Sequence, residues 1–191
     1  MLFLALSIAL VSSRYLMADP EIYFPEQKLV YMAHTAAILA HVAGSIIALV
    51  LGPWQFIRRW RTGRRLAIHR WTGRIYLLGV VVGGLSGLYM AQLAYGGWIT
   101  TLGFTLLALS WLATAVMAYT RIRKKNVPAH QRWMIRNYAL TFAAVTLRLH
   151  LPLLTAVLGL EFVTAYRTVA WLAWVPNLLI VEWFLYRRAT Q

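Results

Sequence analysis

Long apolar segments recur along this chain, each close to the length that a helix needs to cross a membrane. A transmembrane helix takes about 20 apolar residues, because each residue adds about 1.5 Å and the hydrocarbon layer is about 30 Å thick. The apolar segments lie at about 2–16, 30–52, 71–95, 99–119, 133–158 and 169–186. We therefore predict an all-α, polytopic transmembrane helix bundle of about six spans, forming a single integral membrane domain over residues 1–191.

The composition agrees with a membrane protein and excludes several kinds of site. Hydrophobic residues make up 61% of the chain and charged residues only 13%, too little polar surface for a soluble domain. The chain has no cysteine, which excludes disulfides, thiolate metal sites and cysteine nucleophiles. No His-x-x-x-His pair is present, and carboxylates are nearly missing from the spans. We therefore predict no metal site.

The net charge of +14 is concentrated in alternate loops. Fifteen of the 19 Lys and Arg residues lie around the loop between spans two and three, around the loop between spans four and five, and at the C-terminus. Four of the five acidic residues lie in the other loops, namely Asp19, Glu21, Glu26 and Glu161. The positive-inside rule then predicts that both chain ends and the basic loops face the cytoplasm, across an inner (plasma) membrane. Anionic lipid headgroups are the predicted partners of these loops, and nucleic acid is not needed to explain the charge.

The first span is short, and Ser12, Ser13 and Arg14 interrupt its outer end. A cleaved signal peptide is the alternative interpretation of this segment. The segment has no basic n-region and no clean small-residue cleavage site. We therefore expect an uncleaved first span.

Small residues recur at every fourth position in spans two and three. This spacing allows two helix backbones to approach each other without an intervening side chain. The residues are Ala36, Ala40, Gly44, Ala48 and Gly52 in span two, and Gly79, Gly83 and Gly87 in span three. We predict that these two helices pack closely.

A short pattern, Arg-Trp-x-x-Arg-x-Tyr, occurs at residues 70–76 and again at 132–138. Each copy begins a helix that runs from the cytoplasmic side outward. Trp and Tyr favour the headgroup level of a membrane, and Arg extends its charge toward water, so interfacial anchoring explains the pattern. A duplicated helix hairpin is a second explanation.

Polar side chains inside the apolar spans are the candidates for a functional site, because a charge at membrane depth is costly and usually faces a partner or a cavity. Arg148 and His41 lie at similar predicted depth, about 15 Å from the outer ends of their spans. The residues that align along one face of span five are His130, Asn137, Thr141 and Arg148, while His34 and His41 share a face of span two. These stripes favour an interior path or site.

Two polar residues of span six are further candidates. Asn177 lies within the span, and Glu182 lies near its inner end. We expect both to supply partners for the polar residues of the bundle. Glu182 is close enough to the inner surface to pair with Arg74 or Arg136.

The histidines suggest a haem site, because two imidazoles on different helices at matching depth can ligate haem iron. Two pairings are geometrically reasonable, His41 with His150 on the outer side and His69 with His130 on the inner side. One observation argues against the first pairing. His150 is two residues from Arg148 and points about 200° away from it around the helix axis, so the two side chains do not face the same cavity. Histidines with structural roles are the alternative, and arginines beside the inner pair would bind haem propionates or lipid phosphates equally well.

The order of several motifs resembles a bacterial family of predicted multi-pass membrane proteins, the domain of unknown function 2306 type. The resemblance lies in Gly52-Pro53-Trp54-Gln55-Phe56 after His41, in His69-Arg70-Trp71-x-Gly73-Arg74, in His130-x-Arg132-Trp133-Met134-x-Arg136-x-Tyr138, and in Thr146-Leu147-Arg148. It covers nearly the whole chain and implies a membrane fold without implying a reaction. A looser likeness, through histidine placement alone, is to cytochrome b561-type proteins, which implies paired histidines and two haems.

Two classes of function are consistent with these features. The first is a membrane redox protein that binds haem b or a quinone, with His41, His69, His130 and Arg148 as the main cofactor contacts and His34 and His150 as weaker ones. The second is a non-catalytic membrane assembly factor, or a bundle that binds lipid or a small solute. A hydrolase is disfavoured, because no serine has an evident base and acid around it.

Overall fold

The computed structural model describes residues 2–189, which form helices and turns without any β-strand. Nine α-helices follow one another along this part of the chain. They are α1 (Leu2–Ser13), α2 (Lys28–Ala33), α3 (Thr35–Gln55), α4 (Leu66–Ala91), α5 (Trp98–Arg123), α6 (Val127–Thr141), α7 (Ala143–Pro152), α8 (Phe162–Leu172) and α9 (Val175–Ala189). A π-helical turn at Leu153–Val157 extends α7.

Five continuous or nearly continuous helical segments of residues 2–189 are long and apolar enough to cross a membrane. These segments are Thr35–Gln55, Gly63–Ala91, Trp98–Arg123, Val127–Val157 and Phe162–Arg188. The apolar helix at Leu2–Met17 is shorter. The all-α transmembrane fold with about six spans is therefore confirmed.

The helices begin earlier than the predicted spans where the chain is basic or polar. α4 begins at Leu66, five residues before the predicted span, and its early arginines, Arg70 and Arg74, can extend their charged ends to water while the backbone stays helical. α6 begins at Val127, where the Asn126 side chain accepts a hydrogen bond of 3.0 Å from the backbone N–H of Ala129. Pro128 fits this first turn because its missing N–H needs no partner there.

The described chain divides into two compact units, with the boundary at Met90 and Ala91. In the first unit, α1 packs on α3 through its small residues Ala5, Ala9 and Ser12, which are buried. Small side chains leave the two backbones close together, which is how helices associate inside a membrane.

The contact between α3 and α4 confirms the predicted close packing, because it is a contact of backbone against backbone. A Cβ atom placed on Gly44 would lie 2.5 Å from the nitrogen of Gly83 and 2.6 Å from the carbonyl oxygen of Gly79. A Cβ atom on Gly79 would in turn lie 2.8 Å from the carbonyl oxygen of Gly44. Three glycines are thus required at the point where the helices cross.

The basic ends of α3 and α4 are joined by a polar contact. Gln55 is buried, and its amide donates a hydrogen bond of 2.7 Å to the hydroxyl of Thr72. The Gln55 oxygen lies only 3.2 Å from the position of a Cβ atom on Gly73, so this glycine leaves room for the amide. The contact satisfies a polar group that would otherwise be buried at a cost.

In the second unit, α5 and α6 are held together by a buried network of polar side chains. Asn137 is fully buried, and its amide donates to the carbonyl oxygen of Trp111 at 2.8 Å and to the hydroxyl of Thr114 at 2.8 Å. The indole of Trp111 donates to the hydroxyl of Thr141 at 2.9 Å. Two residues of the predicted stripe on span five therefore form contacts between helices.

A short interruption separates α8 from α9, and Pro176 explains it. Proline has no N–H to donate to the carbonyl four residues earlier, and its ring prevents a regular helix at that point. The neighbouring carbonyl oxygen of Ala173 instead accepts hydrogen bonds from the Thr146 hydroxyl of α7 and, at 3.0 Å, from the Asn177 amide. Asn177 also donates to the hydroxyl of Thr146 at 3.2 Å and to the carbonyl oxygen of Ala139 at 3.3 Å, so it supplies a partner to the fifth span, as the sequence predicted.

The two copies of the repeated pattern adopt the same local arrangement. The guanidinium of Arg74 lies 4.7 Å from the ring centre of Trp71, and that of Arg136 lies 4.7 Å from the ring centre of Trp133. The tyrosine that ends each copy is buried. Each pattern is thus a cation–π pair at the basic end of a helix, followed by a packed tyrosine.

We expect the variant Gly44→Ala to be less stable than the wild type by about 1–3 kcal/mol, because the added methyl group overlaps backbone atoms that cannot move independently. Gly73→Ala is the matched control, since its methyl group meets only the end of the Gln55 side chain. The measurement is the unfolding midpoint of each purified variant in detergent. Equal midpoints for Gly44→Ala and the wild type would contradict the backbone contact.

Candidate functional site

The candidate residues divide between the two units. The first unit contains His34, at the junction of α2 and α3, together with His41 on α3 and His69 near the start of α4. The second unit contains His130 in the first turn of α6, together with Arg148 and His150 on α7. Both predicted haem pairings, and the predicted approach of His41 to Arg148, join the two units and remain predictions.

His41 is held against α4 by the glycines that permit the close crossing. Its Nδ1 atom lies 2.7 Å from the carbonyl oxygen of Gly83, and its ring is 2.6 Å from the position of a Cβ atom on Gly87. A carbonyl oxygen can only accept, so Nδ1 carries the proton and donates it. The neutral ring then has its lone pair on Nε2, the nitrogen that ligates a metal ion in this tautomer.

His130 has the same arrangement in the second unit. Its Nδ1 atom lies 2.9 Å from the carbonyl oxygen of Ala118 on α5, so Nδ1 donates and Nε2 carries the lone pair in the neutral ring. Ala118 is fully buried. His41 and His130 therefore share one feature, in which a carbonyl of the neighbouring helix fixes both the tautomer and the ring orientation.

His34 also faces α4, as expected for a residue on the same face as His41. Its Nδ1 atom shares a hydrogen bond of 3.0 Å with the hydroxyl of Tyr89, and the two rings meet edge to face. A tyrosine hydroxyl can donate or accept, so this contact does not fix the tautomer of His34. Tyr89 is a contact residue that the sequence analysis did not identify, since tyrosine near a span end is ordinary.

Arg148 and His150 lie on α7 in the outer half of the fifth span. Arg148 is half-buried and donates from Nη1 to the carbonyl oxygen of Ala144 at 3.0 Å, a contact within its own helix turn. The Nδ1 atom of His150 is buried and has no hydrogen-bond partner among residues 2–189. Nothing in these contacts gives His150 the fixed orientation that His41 and His130 have.

The acidic residue of the sixth span forms an ion pair that the sequence predicted as one of two alternatives. Glu182 accepts two hydrogen bonds from Arg136, with Oε1 at 2.5 Å from Nε and Oε2 at 2.7 Å from Nη2. The paired oxygens match the fork of the guanidinium group, which makes this a strong ion pair. The pair links α6 to α9 and neutralises both charges at the membrane level.

No group of three or more His, Asp or Glu side chains close enough to hold a metal ion occurs between residues 2 and 189. A site built on iron would therefore need a prosthetic group that fills most coordination positions itself. Haem does so, because the porphyrin supplies four ligands and the protein supplies only the axial ones.

A family model described as "Predicted membrane protein (DUF2306)" matches residues 38–185. The chain belongs to this family. The match includes the α3–α4 crossing, His41, His69, His130, Arg148 and His150, whereas His34 lies before it. No curated protein and no solved structure matches the chain. Membership in the DUF2306 family confirms a membrane protein and assigns no reaction to it.

We expect Arg136 and Glu182 to stabilise the DUF2306 fold jointly. A double-mutant cycle with Arg136→Gln, Glu182→Gln and the double variant should give a coupling energy of about 1 kcal/mol or more, because each single change leaves a charge unpaired at the membrane level. The measurement is the free energy of unfolding in mixed micelles.

The ion pair between Lys28 and Glu21, at 2.6 Å, is the matched control for this cycle. Glu21 is 82% exposed, so water screens the pair and its coupling should be close to zero. If the coupling energies of the two pairs were equal, the Arg136–Glu182 pair would have no special role in stability.

Proposed function

We propose that this protein is a membrane redox protein that would hold haem b through His41 in the first unit and through His130 in the second. The observation that carries the proposal is the shared geometry of these two imidazoles. Each lies on a membrane helix and donates its Nδ1 proton to a carbonyl of a neighbouring helix. Histidines that ligate a metal almost always donate their other ring N–H to a carbonyl or a carboxylate.

The chemistry of the surrounding residues fits such a group. A hydrogen bond at Nδ1 fixes the ring orientation and raises the basicity of the ligating nitrogen. Arg74, which lies over the Trp71 ring, supplies a cation at the headgroup level that suits the propionate group of a haem near that level.

Haem bound in this way supplies one-electron transfer within the membrane. The contribution of the chain would be to hold each imidazole in one orientation, to keep a proton on Nδ1, and to exclude water through apolar packing. The low polarity of the spans then influences the reduction potential, because burial penalises the more highly charged redox state.

The proposal extends to the orientation of the chain. We place the basic loops on the cytoplasmic side of an inner (plasma) membrane, where they bind anionic headgroups. The Trp–Arg pairs at the basic ends of α4 and α6 support this placement. Tryptophan favours the interface, and a stacked guanidinium at that level extends into the headgroups.

The first test is a visible absorption spectrum of the detergent-purified protein from haem-replete cells, oxidised and then reduced with dithionite. We expect a Soret band that sharpens on reduction, together with visible bands of a b-type haem. The variants His41→Asn and His130→Asn should each lower the haem content per protein. Asparagine can still donate a hydrogen bond to the carbonyl partner but lacks the second ring nitrogen.

Circular dichroism and gel filtration show whether each variant is folded, which separates loss of haem from loss of structure. A colourless wild-type protein would refute the haem proposal. Unchanged haem content in both asparagine variants would refute the assignment of the ligands, even if the protein is coloured. In the first case, organic extraction for a quinone is the next measurement, because a quinone is the other redox group suited to this site.

A further inference from the structure

We propose that the second unit has a binding groove for an anionic phospholipid, in which Arg167 binds the headgroup phosphate and an acyl chain lies along the start of α5 and the α8–α9 junction. The groove has a volume of about 620 Å³, within the range of small-molecule pockets. This proposal is independent of haem binding and involves none of the candidate histidines.

The walls of the groove are mostly apolar, formed by Ile99, Trp171, Leu172, Val175 and Pro176. The groove lies beside the interruption between α8, which ends at Leu172, and α9, which begins at Val175. A concave apolar surface within a span is filled by a hydrocarbon chain in a bilayer.

Arg167 lies at the outer end of this groove, together with Thr168. It is the sixth residue of α8, so it lies about 7.5 Å along the helix axis from the first residue. That depth is the boundary between the headgroups and the acyl chains, where an arginine side chain can extend its charge outward. Its guanidinium is therefore at the level of lipid phosphates.

The orientation of Arg167 is fixed by the protein. Its Nε atom donates a hydrogen bond of 2.7 Å to the carbonyl oxygen of Gly96, and Gly96 has a positive φ of 97° that suits glycine. The indole of Trp171 similarly donates to the carbonyl oxygen of Ile99 at 3.1 Å. Two side chains of α8 thus bind backbone carbonyls at or just before the start of α5. Arg167 makes its contact through Nε, on one edge of the guanidinium group.

Charge complementarity identifies the occupant. Among residues 2–189, no ion pair joins Arg167 to a carboxylate, unlike Lys28 with Glu21 and Arg136 with Glu182. The residue is exposed on α8, in a segment that crosses the membrane. An exposed cation at the headgroup level, next to an apolar groove, matches the phosphate and the acyl chain of one phospholipid molecule.

The test is a titration of the full-length protein with phosphatidylglycerol in detergent, followed by native mass spectrometry. We expect Arg167→Gln to weaken binding about tenfold, because a hydrogen-bonded charge contact is lost. Arg167→Lys should retain part of the affinity, since lysine keeps the charge without the fork geometry. Val175→Trp should also weaken binding by filling the groove without changing any charge.

Arg14→Gln is the matched control, because Arg14 is an exposed basic residue outside the groove. An equal loss of affinity in Arg14→Gln and Arg167→Gln would overturn the proposal, since it would indicate general charge attraction. Wild-type affinity in both Arg167→Gln and Val175→Trp would overturn it as well. The proposal would also be overturned if the molecule that co-purifies with the wild type and is lost in Val175→Trp were a quinone or a peptide and not a phospholipid.

Discussion

The hydrocarbon layer of a membrane provides no hydrogen-bond partner to a backbone group, and this constraint determines most of the structure described above. Among residues 2–189, the five segments long enough to cross a membrane are helical apart from short junctions. At the α8–α9 junction, side chains add hydrogen bonds to the backbone. The hydroxyl of Thr146 and the amide of Asn177 donate to the carbonyl oxygen of Ala173. Neighbouring side chains thus satisfy part of this irregular backbone.

The same constraint gives the polar residues of the spans two distinct roles. Asn137 and Thr141 use their polar atoms to join α5 to α6. His41 and His130 each direct Nδ1 to a backbone carbonyl of a neighbouring helix. The polar residues of one stripe therefore differ in what they contact, because some bond to side chains and others to the backbone.

Much of the fold could be predicted from the sequence. The length of the apolar segments predicted the spans. The spacing of Gly44, Gly79 and Gly83 predicted the close contact of α3 and α4. The position of Glu182 predicted Arg136 as one of two possible arginine partners. The starts of α4 and α6 were predicted too late, because the histidines and arginines of their first two turns lower the hydropathy although the backbone is already helical. The interruption at His34 was missed, since no proline or glycine marks it. The carbonyl partners of His41 and His130 could not be predicted from the sequence. Every residue has a carbonyl, and only the rotation of the helices determines which carbonyl lies next to each imidazole.

The backbone contact between α3 and α4 has a consequence for how the protein is made. The loop between these helices is short, so their contacts are local in sequence and can form as soon as α4 has left the ribosome. Because glycine surfaces fit without rearrangement of side chains, this contact forms from residues of the first unit alone. The α3–α4 hairpin can therefore pack before the helices of the second unit have been synthesised.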